Sequence, residues 1–172
     1  MNVKSNVRPP SLEGEHPRRQ WRRRIHTAVV LCRLVPLFWL LAILKHVLPI
    51  RLLARWAWAR PRAPRQSSDR SLIVGRVLRA GAIAGAPDRD CLQRSLLLYR
   101  ELSRHGFSPT LVVGIRPSSI AAGGHAWVRT GGDVVGEPAS EIAQFKPLLR
   151  FGVNGALESQ PTPAVTEFGR NA

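Results

Sequence analysis

Residues 91–116 read CLQRSLLLYRELSRHGFSPTLVVGIR, and this stretch joins a helical pattern to a strand pattern. In its first half, apolar side chains recur at helical spacing, at Leu92, Leu96, Tyr99 and Leu102. Gly106 ends that pattern, and residues 110–116 then have the aliphatic composition of a strand. The stretch therefore predicts a helix with Cys91 in its first turn, followed by a strand.

Patterns on both sides of this stretch predict further elements. Upstream, residues 72–84 carry apolar side chains at helical spacing, and Gly85 and Pro87 end the run. Downstream, residues 125–129 (HAWVR) and 133–136 (DVVG) predict two more strands. Because helices are followed by a run of strands, we expect an α+β fold.

Charge divides the chain near residue 66. Residues 1–65 hold 14 basic and 2 acidic residues (+12), whereas residues 66–172 hold 12 and 9 (+3). We therefore predict a disordered basic tail (1–20), a basic amphipathic helical segment with a linker (21–66), a functional domain (67–153) and a flexible C-terminal tail (154–172). Since most of the net charge lies in the N-terminal segment, we expect no specific binding of nucleic acid.

Two cysteines, Cys32 and Cys91, are too few for a disulfide framework, so we expect reduced thiols and a cytoplasmic location. Residues 34–44 (LVPLFWLLAIL) form an uncharged run of eleven residues, which is short for a membrane span. Pro36 and Pro49 predict two short helices rather than a long one. This segment either packs on the second half of the chain or lies on an anionic membrane surface.

Cys91 is the residue that most directly indicates chemistry. The unpaired N–H groups of a helix start favour a thiolate, although a small buried cysteine is the alternative interpretation. Either Asp88 or Asp90 is a candidate N-cap. A thiolate nucleophile needs an imidazole, and His125 is the credible partner, because His105 lies about 21 Å away at the far end of the helix.

The hairpin that follows His125 offers two carboxylates, Glu137 and Asp133. A three-residue loop over residues 130–132 would pair His125 with Glu137 and place them on the same face, while Asp133 would pair with Arg129. A two-residue Gly131-Gly132 turn would reverse that parity and turn Glu137 to the other face. The sequence contains no clustered Cys/His set, so we expect neither a metal nor a cofactor.

Three segments, residues 91–116, GGHAWV and VVGEP, together resemble the transglutaminase-like cysteine protease domain of lasso-peptide maturation B proteins, over about residues 70–140. The resemblance implies a papain-like core over residues 67–153, with N-terminal helices packed on a small antiparallel sheet and a basic helical segment before it. It implies that Cys91 is the nucleophile, that His125 is the base and acid, and that Glu137 orients His125. An Asp often fills the third position in related triads.

The resemblance also implies a function, removal of the leader from a ribosomal precursor peptide. Residues 1–66 show no strand pattern for a leader-recognition domain, so the chain resembles the split peptidase. The partners this implies are the precursor peptide, a separate recognition protein and a macrolactam cyclase. Two alternatives remain: the same triad transfers an acyl group to an amine, or the chain is a non-catalytic adaptor whose basic arm binds acidic lipid or nucleic acid.

Overall fold

The computed structural model describes residues 17–61, 69–85, 90–117 and 123–158, with the backbone alone for residues 17–27. The helices are α1 (Pro17–Val47), α2 (Ile50–Ala57), α3 (Arg70–Ile83), α4 (Cys91–Arg104) and α5 (Ala139–Ile142). The strands are β1 (Pro109–Ile115), β2 (Gly124–Thr130), β3 (Asp133–Val135) and β4 (Lys146–Phe151), and a 3-10 turn follows at Val153–Gly155.

The four strands form one antiparallel sheet in the order β3-β2-β1-β4. One face of the sheet packs against helices α1 to α4 and forms the main core with them. The sheet residues of this core are Leu111, Val128, Val135 and Phe151. The other face carries a smaller cluster, in which Val112 and Trp127 pack with Ile142 of α5. The predicted α+β class, with helices packed on a small antiparallel sheet, is confirmed.

Helix α1 belongs to the same core as the rest of the protein. Leu34, Phe38 and Leu41 are buried in the main core. Two ion pairs join the helix to α4 and its N-cap: Arg33 Nη2 lies 3.2 Å from Glu101 Oε1, and Lys45 Nζ lies 2.9 Å from Asp90 Oδ1. The predicted division of the chain at residue 66 does not match the structure, because side chains from both sides of that residue share one hydrophobic core.

Two predictions about helix boundaries need correction. Pro36 does not end a helix, since α1 runs through it as one element of 31 residues. An interior proline costs about 3 kcal/mol, and the buried residues on both sides of it offset that cost. Helix α1 also begins at Pro17, within the predicted tail, whereas Pro49 does separate α1 from α2.

The C-terminal boundary also differs from the prediction, because residues 154–158 belong to the folded unit. The Tyr99 hydroxyl donates a hydrogen bond to the Gly152 carbonyl and accepts one from the Gly155 N–H at 3.1 Å. Leu157 forms a bridge to Phe151 at the edge of the sheet. The remainder of the predicted tail, residues 159–172, lies outside the described residues, as does the predicted tail before residue 17.

Tyr99 gives a direct probe of this C-terminal contact, since it is the only tyrosine in the chain. Burial, reinforced by Glu158 and opposed by the Gly155 N–H, raises the pKa of Tyr99 to about 12. The contribution of the protonated Tyr99 phenol to the free energy of unfolding is therefore fully present below about pH 10. It is lost as the pH rises through the pKa of Tyr99 in the folded protein. Absorbance at 295 nm should show a phenolate midpoint near pH 12 in the folded protein and near 10 in urea. Equal midpoints would contradict the buried contact.

Candidate active site

Helix α4 begins at Cys91, and the side chain of its N-cap is engaged elsewhere. Asp90 makes no side-chain cap hydrogen bond to the helix. Its carboxylate instead forms an ion pair with Lys45. It also accepts a hydrogen bond from Gln93 Nε2 at 2.7 Å when the Gln93 amide is oriented so that both its oxygen and its nitrogen have partners. Asp90 therefore occupies the predicted N-cap position, but its side chain does not make the capping hydrogen bond. Asp88, the other candidate N-cap, lies outside the described residues. The Asp90 carboxylate therefore leaves the first N–H groups of α4 uncapped.

His125 and Glu137 are in direct contact. His125 Nε2 lies 2.5 Å from Glu137 Oε2, and the Glu137 side chain is only 10% exposed. The second oxygen of the carboxylate, Oε1, accepts from Arg94 Nη2 at 2.9 Å. Both oxygens of Glu137 are therefore held, one by the imidazole and one by a guanidinium from the first turns of α4.

The predicted register of the hairpin is wrong, although the predicted contact is present. The turn contains two residues, Gly131 and Gly132, both with positive φ, and it pairs Thr130 with Asp133 and Val128 with Val135. An ideal continuation of this ladder would turn Glu137 away from His125. Strand β3 ends before that point, because Gly136 has a φ of +84°, and the left-handed residue redirects the chain so that Glu137 reaches His125.

Asp133, the competing carboxylate, lies at the exposed end of the hairpin. Its Oδ2 is 3.6 Å from Arg70 Nη1, and its side chain is 73% exposed. The predicted partner, Arg129, instead donates to the Gly132 carbonyl. Asp133 is therefore engaged away from the imidazole that Glu137 contacts.

Cys91 lies one helical turn from the groups that hold this pair. Residues three and four positions further along a helix lie on the same face, which for Cys91 are Arg94 and Ser95. Arg94 binds Glu137, and Ser95 Oγ donates to the carbonyl of Ala126, the neighbour of His125, at 2.7 Å. No hydrogen bond joins Cys91 to His125 among the described residues, so the structure brings His125 and Glu137 into contact and places Cys91 on the adjoining helix face.

Aromatic side chains surround the imidazole on the sheet face that carries it. The His125 ring stacks on Phe145 with ring centroids 4.8 Å apart, and it lies 6.2 Å from the Trp127 ring. The Arg116 guanidinium lies 5.1 Å from the centroid of Phe145. Strand β1 approaches closely here because Gly114 pairs with His125, and a Cβ at Gly114 would lie 2.5 Å from the Lys146 carbonyl oxygen.

Sequence reasoning missed two residues of this site, Arg94 and Phe145. Arg94 had a usable signal, because it follows Cys91 by three positions in a predicted helix. Phe145 had none, because it lies between α5 and β4, two elements that the sequence pattern did not predict. The described residues contain no group of three or more His, Cys, Asp or Glu side chains that could hold a metal ion.

The sequence matches the family described as the Transglutaminase-like superfamily over residues 31–150. The chain belongs to this superfamily, whose members generally have a cysteine-protease or acyltransferase fold and are usually enzymes. The matched region begins within α1, which agrees with the shared core of α1 and α4. Comparisons with curated proteins and with solved structures gave no match.

The two cysteines allow an internally controlled test of the site. Cys32 is exposed and Cys91 is partly buried, and both are free thiols. We expect Cys91 to react with iodoacetamide at pH 7 about tenfold faster than Cys32, because the N–H groups of a helix start favour a thiolate and His125 is the candidate base for Cys91. Peptide mapping by mass spectrometry measures both rates in one sample. Faster alkylation of Cys32, or no effect of His125→Ala on the Cys91 rate, would contradict the assignment.

Proposed function

We propose that this chain is a cysteine peptidase that removes the leader from a ribosomally made lasso-peptide precursor. The observation that carries the proposal is the 2.5 Å contact between His125 and Glu137, held by Arg94 on the helix that begins with Cys91. Membership of the Transglutaminase-like superfamily supports the use of cysteine chemistry. The resemblance of residues 91–116, GGHAWV and VVGEP to lasso-peptide maturation B proteins supports the substrate class.

The nucleophile in this mechanism is Cys91. Since Glu137 binds Nε2 of His125, Nδ1 is the ring nitrogen available to accept the thiol proton. The thiolate attacks the carbonyl carbon of the leader–core peptide bond and forms a tetrahedral oxyanion. The first N–H groups of α4, which the Asp90 side chain leaves uncapped, are suited to stabilise that oxyanion.

The intermediate then breaks down in two steps. His125 returns its proton to the departing amine of the core, which leaves the leader joined to Cys91 as a thioester. His125 next removes a proton from water, the hydroxide attacks the thioester, and the released thiol regains a proton. Glu137 keeps the imidazole in one orientation throughout and stabilises its protonated form, while Arg94 holds the second carboxylate oxygen.

The proposed partners follow from the resemblance to the split peptidase, which works with a separate recognition protein. They are the precursor peptide, a separate recognition protein that presents the leader, and a macrolactam cyclase that accepts the released core. A lasso cyclase acts on a free core amine, so hydrolysis must precede it. We propose that this reaction takes place on the cytoplasmic side, where ribosomal precursors are made.

Mass spectrometry of the reaction products tests the proposal. A lasso-peptide precursor is incubated with the protein, with and without the recognition protein. We expect one cut that yields a free leader acid and a free core amine. A product in which the leader is joined to an added amine would instead indicate acyl transfer, and an intact precursor in the presence of the recognition protein would contradict the peptidase assignment.

A further inference from the structure

Helix α1 is apolar on two opposite sides. Leu34, Phe38 and Leu41 face the core and are at most 4% exposed. Large apolar side chains on the other side are between 58% and 72% exposed, at Val29, Trp39, Ile43 and Val47. We call these four residues the outer face of α1. A helix that is apolar all round normally has both sides covered.

The outer face lies along one side of the helix. At 100° per residue, Val29 and Val47 point in the same direction, Pro36, Leu40 and Ile43 lie within about 40° of it, and Trp39 lies about 80° from it. Arg33 also lies about 40° from that direction, and its guanidinium pairs with Glu101. The buried residues centre on the opposite side of the same helix. Residues Ala28–Val47 have a mean hydropathy of 2.1, and only 17% of that apolar window is buried in the fold. Such a contiguous exposed apolar surface marks an interaction site.

The charge around this surface indicates what covers it. Residues 17–57 contain nine basic residues and no acidic residue. Five of the nine are arginines near the start of α1, at Arg18, Arg19, Arg22, Arg23 and Arg24. The exposed side of helix α2 is both basic and apolar, because Arg51 and Arg55 lie beside Leu52 and Trp56. Apolar and indole side chains flanked by arginines fit the boundary between the headgroups and acyl chains of an anionic bilayer.

We propose that the outer face of α1, together with the exposed side of α2, binds the surface of an anionic membrane. The helix meets the length and composition of a membrane span. A span, however, would pull Leu34, Phe38 and Leu41 out of the core and would break the ion pairs of Arg33 with Glu101 and of Lys45 with Asp90. Binding at the surface keeps all of these contacts and covers the exposed stripe.

Vesicle flotation of the full chain tests this proposal. After nuclease treatment, the protein is mixed with vesicles of phosphatidylcholine alone or with 30% phosphatidylglycerol. We expect binding to the anionic vesicles at least about tenfold stronger, because each basic residue near the surface contributes. Ile43→Ser/Val47→Ser should lower that binding about tenfold or more, since two aliphatic side chains no longer enter the bilayer.

A matched control variant is Leu72→Ser/Ile83→Ser, which removes two exposed aliphatic side chains of α3. On that helix they lie opposite Gly81, which faces Phe38 of α1. We expect it to bind like the wild type. Arg51→Glu/Arg55→Glu should weaken binding to anionic vesicles and leave binding to neutral ones unchanged. Circular dichroism verifies that each variant is folded.

Four results would overturn the proposal. They are no binding of the wild type to anionic vesicles, equal loss in the outer-face and control variants, no effect of the arginine reversal, and resistance of the bound protein to alkaline carbonate. The last result would indicate a span. None of these measurements depends on peptidase activity, so the membrane proposal and the peptidase proposal fail separately.

Discussion

Replacement of Cys91 by alanine is expected to lower the rate of precursor cleavage by at least about 10³-fold, because it removes the proposed nucleophile. His125→Ala should have an effect of similar size, since the two residues act as one unit and their effects do not add. The measurement is the single-turnover rate of leader release, followed by mass spectrometry with the recognition protein present. Cleavage that survives Cys91→Ala at the wild-type rate would mean that another group is the nucleophile.

The two carboxylates of the hairpin provide a matched comparison within the same experiment. Glu137→Gln should lower the rate by about 10- to 10³-fold, because an amide cannot stabilise the protonated imidazole that forms during attack. Asp133→Asn should leave the rate near that of the wild type, because Asp133 is exposed and lies near Arg70. A larger loss in Asp133→Asn than in Glu137→Gln would reverse the assignment of the third residue.

Substitution of Gly155 by alanine is expected to destabilise the fold more than the same change at Gly131. Both glycines have similar left-handed backbones, with φ of +65° and +61°. A Cβ at Gly155 would lie 2.5 Å from the Arg55 N and Cα atoms of α2, whereas a Cβ at Gly131 has no atom within 4 Å. Backbone strain costs about 1–2 kcal/mol at either site, and overpacking adds about 1–3 kcal/mol at Gly155 only.

Urea unfolding of the two variants measures this difference. We expect Gly155→Ala to lose about 2 kcal/mol more unfolding free energy than Gly131→Ala, because overlap with backbone atoms cannot be relieved by a side-chain rotation. If Gly155→Ala is recovered only as insoluble protein while Gly131→Ala is soluble, the direction of the prediction holds. Equal unfolding free energies would show that the C-terminal turn is not packed on α2.

Elements with a strong local period could be predicted from the sequence. The helix that begins at Cys91 and the strand after it have the positions the pattern indicated, because each spacing is set within a few residues. Strand β4 and helix α5 were not predicted. Burial in β4 shows no strict alternation, and the four-residue helix α5 is too short for a helical period to appear.

In the candidate site, too, the residue types could be predicted from short stretches of sequence, whereas the contacts between them could not. Residue types, spacing and family resemblance select Cys91, His125 and Glu137, but the three-residue loop that would pair His125 with Glu137 does not form. Parity in a hairpin argues that Glu137 faces away, and one left-handed glycine, Gly136, brings it back. A single backbone reversal changes which side chains meet, and no periodic pattern reports it.

The amino-acid sequence is sufficient to predict the class of fold, the start of helix α4 and the concentration of positive charge in the N-terminal segment. These follow from composition and short-range spacing, which act within one turn or one strand. Three other features depend on tertiary packing: α1 continues through Pro36 into the common core, Arg94 holds Glu137, and an apolar stripe stays exposed on α1. Each of these depends on contacts between residues far apart in the chain, where packing overrides local preference.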